Sequence, residues 1–232
     1  MPERQLPDLK AVVFDFDGTL VDFLSSDIAA LTCLHCEAAP TTDLEGFIAC
    51  SVNAIMAFHA RVERGQADPL RMHRERLQAT LASYGVPWHG SYLTLYRTAL
   101  LNACTPLSGA HELLKLLRPR FRLGLLTNAY DGAEQRARLD RSGLTGYFDV
   151  VVVSGEVGLY KPQPEVFHHT LGLLGVAPEQ ALYVGDSPHH DVDGAASAGI
   201  RPVLVGPGHT PPSTWLHVPS LSALAGRWTL PG

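Results

Sequence analysis

Val12-Val13-Phe14 is an unbroken apolar run that ends abruptly in Asp15-Phe16-Asp17-Gly18-Thr19. No polar residue alternates within it, and β-branched and aromatic side chains fill it. It therefore reads as a strand of a parallel sheet buried on both faces. Carboxylates at the end of such a strand are costly to keep there unless they bind or react. In an open α/β sheet the carboxyl ends of the strands are where ligands are held. Paired carboxylates at that place can ligate Mg²⁺, attack as a nucleophile or move a proton. Taken alone, an Asp-x-Asp can equally close a strand in a turn.

The rest of the chain decides between these readings. Residues 122–128, 149–154, 181–186 and 202–205 are strand-like runs, and helical patterns lie between them. One helix starts at Asp131, with Glu134 completing a capping box, and stops at Gly143. A second covers 164–174 and stops at Gly175. A third, made of small residues, covers 192–198 and stops at Gly199. The fold class is α/β: a Rossmann-like, mostly parallel sheet with helices on both faces. Residues 23–105 have a different texture, with apolar residues at helical spacing and no strand runs. Leu44, Phe47, Ile48, Val52, Ile55, Met56 and Phe58 outline one helix. Leu70, Leu77, Leu81 and Tyr84 outline another, and Tyr92, Leu93, Tyr96, Leu100 and Leu101 a third. The segment around 28–37 is helical as well. The expected organisation is a core of 1–21 and 106–232 with an inserted helical cap of 22–105. The core resumes with a helix over 108–117 that has Ser108 as its N-cap. The Pro-rich tail after Gly206 reads as turns, with a short strand near 216–218.

Composition excludes some partners. The formal net charge is −5 and no basic block occurs, which argues against nucleic acid. No apolar stretch is long enough to span a bilayer, and Met1-Pro2-Glu3-Arg4 lacks a leader's apolar region, so a cytoplasmic protein is expected. Of the four cysteines, Cys33 and Cys36 form a C-x-x-C around His35. A structural zinc site is one reading of that cluster. Buried helix thiols are the favoured one, because no second pair stands at finger-like spacing.

Four strand ends carry polar groups in order: Asp15, Asp17, Gly18 and Thr19; Thr127 and Asn128; Lys161 a little beyond the third strand; Asp186 and Ser187, with Asp191 following. In a parallel sheet these ends share one edge. The set suits phosphoryl transfer: a carboxylate to attack phosphorus, oxygen ligands for Mg²⁺, and a hydroxyl, an amide and an ammonium for the transferring oxygens. Individually each piece has a bland reading as a turn or cap. In combination they resemble the haloacid dehalogenase superfamily of phosphohydrolases. Asp15-Phe16-Asp17-Gly18-Thr19 matches its first motif, Thr127 the second, Lys161 the third, and Gly185-Asp186-Ser187 through Asp191 the fourth. The helical insertion after the first motif resembles the family's helical cap.

The resemblance implies roles. Asp15 would be the nucleophile that forms an aspartyl-phosphate. Asp17 would be the acid and then the base, with its backbone carbonyl on Mg²⁺. Thr127 and Lys161 would bind the phosphoryl group, assisted by Asn128 and the Gly18 amide. Asp15 and Asp186 would complete the metal ligands, and Asp191 would act from outside them, through water or by orienting Lys161. His190 stands where related sequences often carry an amide, and with His189 it is read as a solvated loop residue.

The implied activity is Mg²⁺-dependent hydrolysis of a small phosphorylated metabolite by a monomer or homodimer. A phosphomutase and an inactive binding protein on the same fold are the alternatives. A dehalogenase is disfavoured because such enzymes typically lack the second Asp of the first motif. The segment 61–76 is rich in cations, among them Arg61, Arg64, Arg71, His73, Arg74 and Arg76. They would recognise a carboxylate or second phosphate, or form a solvated face, which the interspersed Glu63 and Glu75 favour. Arg71, Arg74 and Tyr92 are the substrate candidates from the cap.

Overall fold

A computed structural model describes residues 8–229. The stretch Met1–Arg4, read above for a leader, lies outside them. Among the described residues no helix is long and apolar enough to cross a membrane. The chain divides into two compact units, one made of residues up to Asp22 together with those from Thr105 onward, the other of Phe23–Cys104.

The first unit is built on six strands: β1 (Ala11–Phe14), β2 (Arg122–Thr127), β3 (Val150–Val153), β4 (Ala181–Gly185), β5 (Arg201–Val205) and β6 (Leu216–Val218). Their order is β3-β2-β1-β4-β5-β6 and all five pairings are parallel. The α/β reading therefore holds, with the sheet wholly parallel rather than mostly so. The order reverses between β1 and β4, which is where ligand crevices form in such sheets. Register places Phe14 beside Leu125 on one side and Val184 on the other. The ends of β1, β2 and β4 are thus level, and Asp15, Thr127 and Asp186 leave the sheet at one edge.

The helical unit comprises α1 (Phe23–Ala38), α2 (Leu44–Glu63), α3 (Met72–Ser83) and α4 (Gly90–Asn102). Asp43 caps α2 by accepting from the amides of Glu45 and Gly46. Its core is apolar around Leu31, Leu34, Phe47, Leu77, Leu81 and Leu100. The helices match the expected ones, but not every residue taken to outline them is inside. Val52 and Met56 are exposed on α2, and Leu70 lies exposed in a 3₁₀ turn before α3. Some polar side chains are buried instead. Arg76 is 1% exposed and grips Asp27 through two bonds of 2.9 and 2.7 Å. It also donates to Ser51 Oγ at 2.8 Å and to the Tyr96 hydroxyl at 3.1 Å, and Tyr96 in turn donates to Asp27. The solvated-face reading of the 61–76 cations is therefore corrected for Arg76 and for buried His73. Arg71 and Arg74 do stand in solvent. The buried-thiol reading also needs correction: Cys36 is exposed and Cys33 half-buried. His35 is buried with Nε2 3.0 Å from the Thr42 carbonyl.

Back in the sheet unit, α5 (Ala110–Leu117), α6 (Gly132–Arg141), α7 (Ser154–Val157), α8 (Pro164–Leu174), α9 (Gly194–Ser197) and α10 (Leu221–Thr229) complete the chain. α5 is entered through Gly109, not capped by Ser108 as expected, because the residue before the helix takes a left-handed φ of 87°. α6 is capped by Asp131, whose carboxylate accepts from the Glu134 amide at 3.1 Å. The expected helix over 192–198 is split into a π-helical turn (Pro188–Asp193) and the short α9. α10 was hidden in the turn-like tail. Its signal is Ser220, whose hydroxyl accepts from the Ala223 amide.

Candidate active site

Asp15 follows β1 directly, and its amide still bonds to Val184 O at 2.9 Å, so the ladder with β4 fixes its backbone. The residue is 5% exposed. Oδ1 accepts from Lys161 Nζ at 2.6 Å. Lys161 is itself buried and reaches Asp191 Oδ1 at 2.7 Å and the Tyr183 hydroxyl at 3.0 Å. Asp191 is 1% exposed and its other oxygen accepts from the Ser187 amide at 2.9 Å. Asp186 accepts from Thr19 Oγ1 at 3.0 Å, and the same hydroxyl is 3.4 Å from Asp15 Oδ2.

One carboxylate oxygen from each of Asp15, Asp186 and Asp191 lies within 4.8 Å of the others. Against three carboxylates stands one ammonium. Burial raises the Asp15 carboxyl well above its ordinary value; Lys161 opposes this, and the charges of Asp191 and Asp186 add to it. Asp186 is raised by burial and by Asp191, against the Thr19 bond. Burial pulls Lys161 down, yet Asp15 and Asp191 outweigh it and hold the ammonium above its usual range. Burial, then the Asp191 charge, push the Tyr183 phenol up. All-oxygen donors with surplus negative charge fit a hard divalent cation such as Mg²⁺.

Two glycines make the convergence possible. Gly18 has φ 86°, and a β-carbon there would lie 2.4 Å from Asp186 Oδ2. A β-carbon on Gly185 would lie 2.4 Å from Asp191 Cγ.

The sequence-derived candidates in this unit gather here, but some are occupied differently than expected. The Gly18 amide, expected to assist at phosphate, donates to Val21 O at 2.9 Å, because the Asp17–Val21 turn closes on itself. The Asn128 amide, expected in the same role, spans the Lys161 backbone, donating to its carbonyl and accepting from its N–H, both at 3.0 Å. It holds the loop that delivers Lys161. Asp17 is bound by Arg138 and Gln135 of α6. Thr127 Oγ1 accepts from Gln135 Nε2 at 2.8 Å. His189 and His190 are exposed, as read. In the helical unit Tyr92 is half-buried on that unit's own core, with its ring against Trp88 and His89. Sequence reasoning missed Tyr183, Gln135 and Arg138. A tyrosine within an apolar strand was a signal for the first; the other two sit in a helix that reads as mostly polar.

The model of the haloacid dehalogenase-like hydrolase family matches residues 9–199. Pyrimidine 5'-nucleotidase YjjG of Escherichia coli is 38% identical over 173 residues, covering 72% of this chain and 71% of that protein. Phosphoserine phosphatase of Thermus thermophilus is 33% identical over 233 residues, covering 88% and 91%. Among solved structures, the putative HAD-hydrolase YfnB of Bacillus subtilis bound to magnesium superposes with a TM-score of 0.80 at 25% identity, covering 96% of this chain and 99% of that one. The L-2-haloacid dehalogenase PA0810 shares the fold, with a TM-score of 0.78 at 23% identity and coverage of 94% and 98%.

Proposed function

The chain belongs to the haloacid dehalogenase-like hydrolases, and from that premise we propose that it is a Mg²⁺-dependent phosphatase of small phosphorylated metabolites that works through an aspartyl-phosphate on Asp15. The observation that carries this reading is the buried Asp15–Lys161–Asp191 chain beside Asp186, a nucleophile-sized carboxylate in a site with surplus negative charge. Two of its relatives are named as phosphate-ester hydrolases, which favours phosphate esters over halides.

Asp15 and Asp186, with the Asp17 carbonyl, would hold the cation. When bound, it would neutralise charge on the phosphoryl oxygens. Asp15 attacks phosphorus; its Oδ–P bond forms as the P–O bond to the leaving alcohol breaks, and Asp17 gives the alkoxide a proton. Water then attacks the same phosphorus, Asp17 takes its proton, and the Oδ–P bond breaks to release inorganic phosphate. Lys161 and Thr127 bind the transferring oxygens. Asp191 orients Lys161. Choice among alcohols is assigned to side chains outside the motifs, with Arg71, Arg74 and Tyr92 as those to replace first by alanine.

A phosphate-release screen tests the reading, run with Mg²⁺ and with EDTA over pyrimidine nucleoside monophosphates, phosphoserine and sugar phosphates. Metal-dependent release from at least one ester is expected. Halide release from 2-haloacids without metal, or transfer of phosphate between sugar positions without net release, would replace it.

A further inference from the structure

Gln135 and Arg138 lie three residues apart on one face of α6, and both are buried, at 4% and 2% exposure. Neither belongs to the four strand-end motifs. Gln135 Nε2 donates to Asp17 Oδ2 at 2.7 Å and to Thr127 Oγ1 at 2.8 Å. Its Oε1 accepts from Arg138 Nη1 at 3.0 Å. Arg138 Nη1 also donates to Asp17 Oδ2 at 3.0 Å, and Nη2 to Asp17 Oδ1 at 2.5 Å. The guanidinium carbon lies 5.5 Å from the Phe16 ring centroid, which supports the group from one side.

The geometry restricts what Asp17 and Thr127 can do. A carboxylate offers about four lone-pair sites. On Asp17 two donors reach Oδ2 and one reaches Oδ1, so the remaining open site is on Oδ1. Thr127 has one hydroxyl proton. Since its oxygen accepts from Gln135, that proton is free for another acceptor. We propose that Gln135 and Arg138 are positioning residues that hold the Asp17 carboxylate in a single orientation, with Oδ1 as its proton-exchanging oxygen, and turn the Thr127 hydroxyl proton toward the phosphoryl group. The proposal rests on the phosphatase reading above and adds to it a link between the proton-transfer and phosphate-binding groups. The fork of Arg138 is what grips both oxygens of Asp17; a lysine would carry the charge but hold only one point.

The test compares an alkyl phosphate with an activated aryl phosphate in Arg138→Met, Arg138→Lys and Gln135→Leu. Protonation of the leaving group matters for the alkyl ester and little for the aryl one. A misplaced acid costs up to about 10²-fold. Arg138→Met is expected to lower kcat/KM, which reads the step that expels the alcohol and not the later attack of water, by ~10–100-fold on the alkyl ester and by under ~3-fold on the aryl ester. Arg138→Lys is expected to fall between it and wild type, and Gln135→Leu to raise KM for both esters. The lysine and leucine variants keep the buried volume close to native, and thermal unfolding verifies folding. An active wild type whose folded Arg138 variants lose kcat/KM on both esters equally, or on neither, overturns the clamp alone. A wild type silent on every phosphate ester overturns the phosphatase reading and the clamp with it.

Discussion

Asp15 and Asp186 are both carboxylates at the same sheet edge, yet their partners differ and so do the expected consequences of losing them. Asp15→Asn replaces the proposed nucleophile with an amide that cannot form an acyl-phosphate. Phosphate release is expected to vanish while Mg²⁺ still binds; turnover near the wild-type rate would reject Asp15 as nucleophile. Asp186 accepts from the Thr19 hydroxyl, whereas Asp191 is tied to Lys161, Tyr183 and the Ser187 amide. Asp186→Ala is therefore expected to weaken Mg²⁺ more than Asp191→Ala does, by roughly tenfold or beyond. Calorimetric titration of the two variants with Mg²⁺ reads this directly, and the reverse ranking would move Asp191 into direct contact with the cation. Gly18 binds nothing through a side chain, but its left-handed φ and the 2.4 Å approach of Asp186 leave no room for a methyl group.

At the scale of elements, the sheet was legible because β1 to β4 are short, largely apolar runs closed by a polar residue, and parallel register levels those ends. That is why Asp15, Thr127, Lys161, Asp186 and Asp191 were findable from spacing. Helix faces were less legible. α6 has Gln135, Arg136 and Arg138 close together, and polarity alone sends all three to solvent. Only Arg136 pairs at the surface, with Glu156, while the other two are buried because Asp17 awaits them. Arg76 in α3 is the same case: a charge inside a helical core, read as solvated because its partner Asp27 is 49 positions away. A buried ion pair broken on one side leaves an uncompensated charge, at about 3–5 kcal/mol. Arg76→Ala is expected to lose about that much stability in urea unfolding. The double change Asp27→Leu with Arg76→Met is expected to recover most of it. A double variant as unstable as the single one would mean that packing, and not charge, holds α1 to α3.

For the molecule as a whole, the charge at the sheet edge makes stability depend on pH and metal together. The fold raises the carboxyls of Asp15 and Asp186 above their ordinary values, chiefly through burial and then through each other's neighbours. For groups raised in the folded state, the stabilising contribution is present below the unfolded value, about pH 4, and is lost as pH rises through the folded values. In metal-free protein the contribution of these two carboxyls therefore falls on the way from acid to neutral pH, as they ionise beside Asp191. The proposed divalent cation would bind the ionised forms and compete with the protons, so its contribution would run the other way. At Mg²⁺ about 100 times its dissociation constant, binding stabilises by about 2.7 kcal/mol. For a domain of this size that corresponds to a rise in Tm of roughly 5–10 °C. The rise is expected near neutral pH and should shrink toward pH 4. Measuring Tm with Mg²⁺ and with EDTA across that range checks it, and Asp186→Ala should flatten the difference. A Mg²⁺ effect that is larger in acid than at neutral pH would mean that the cation binds somewhere other than these carboxylates, and that Lys161 alone balances them.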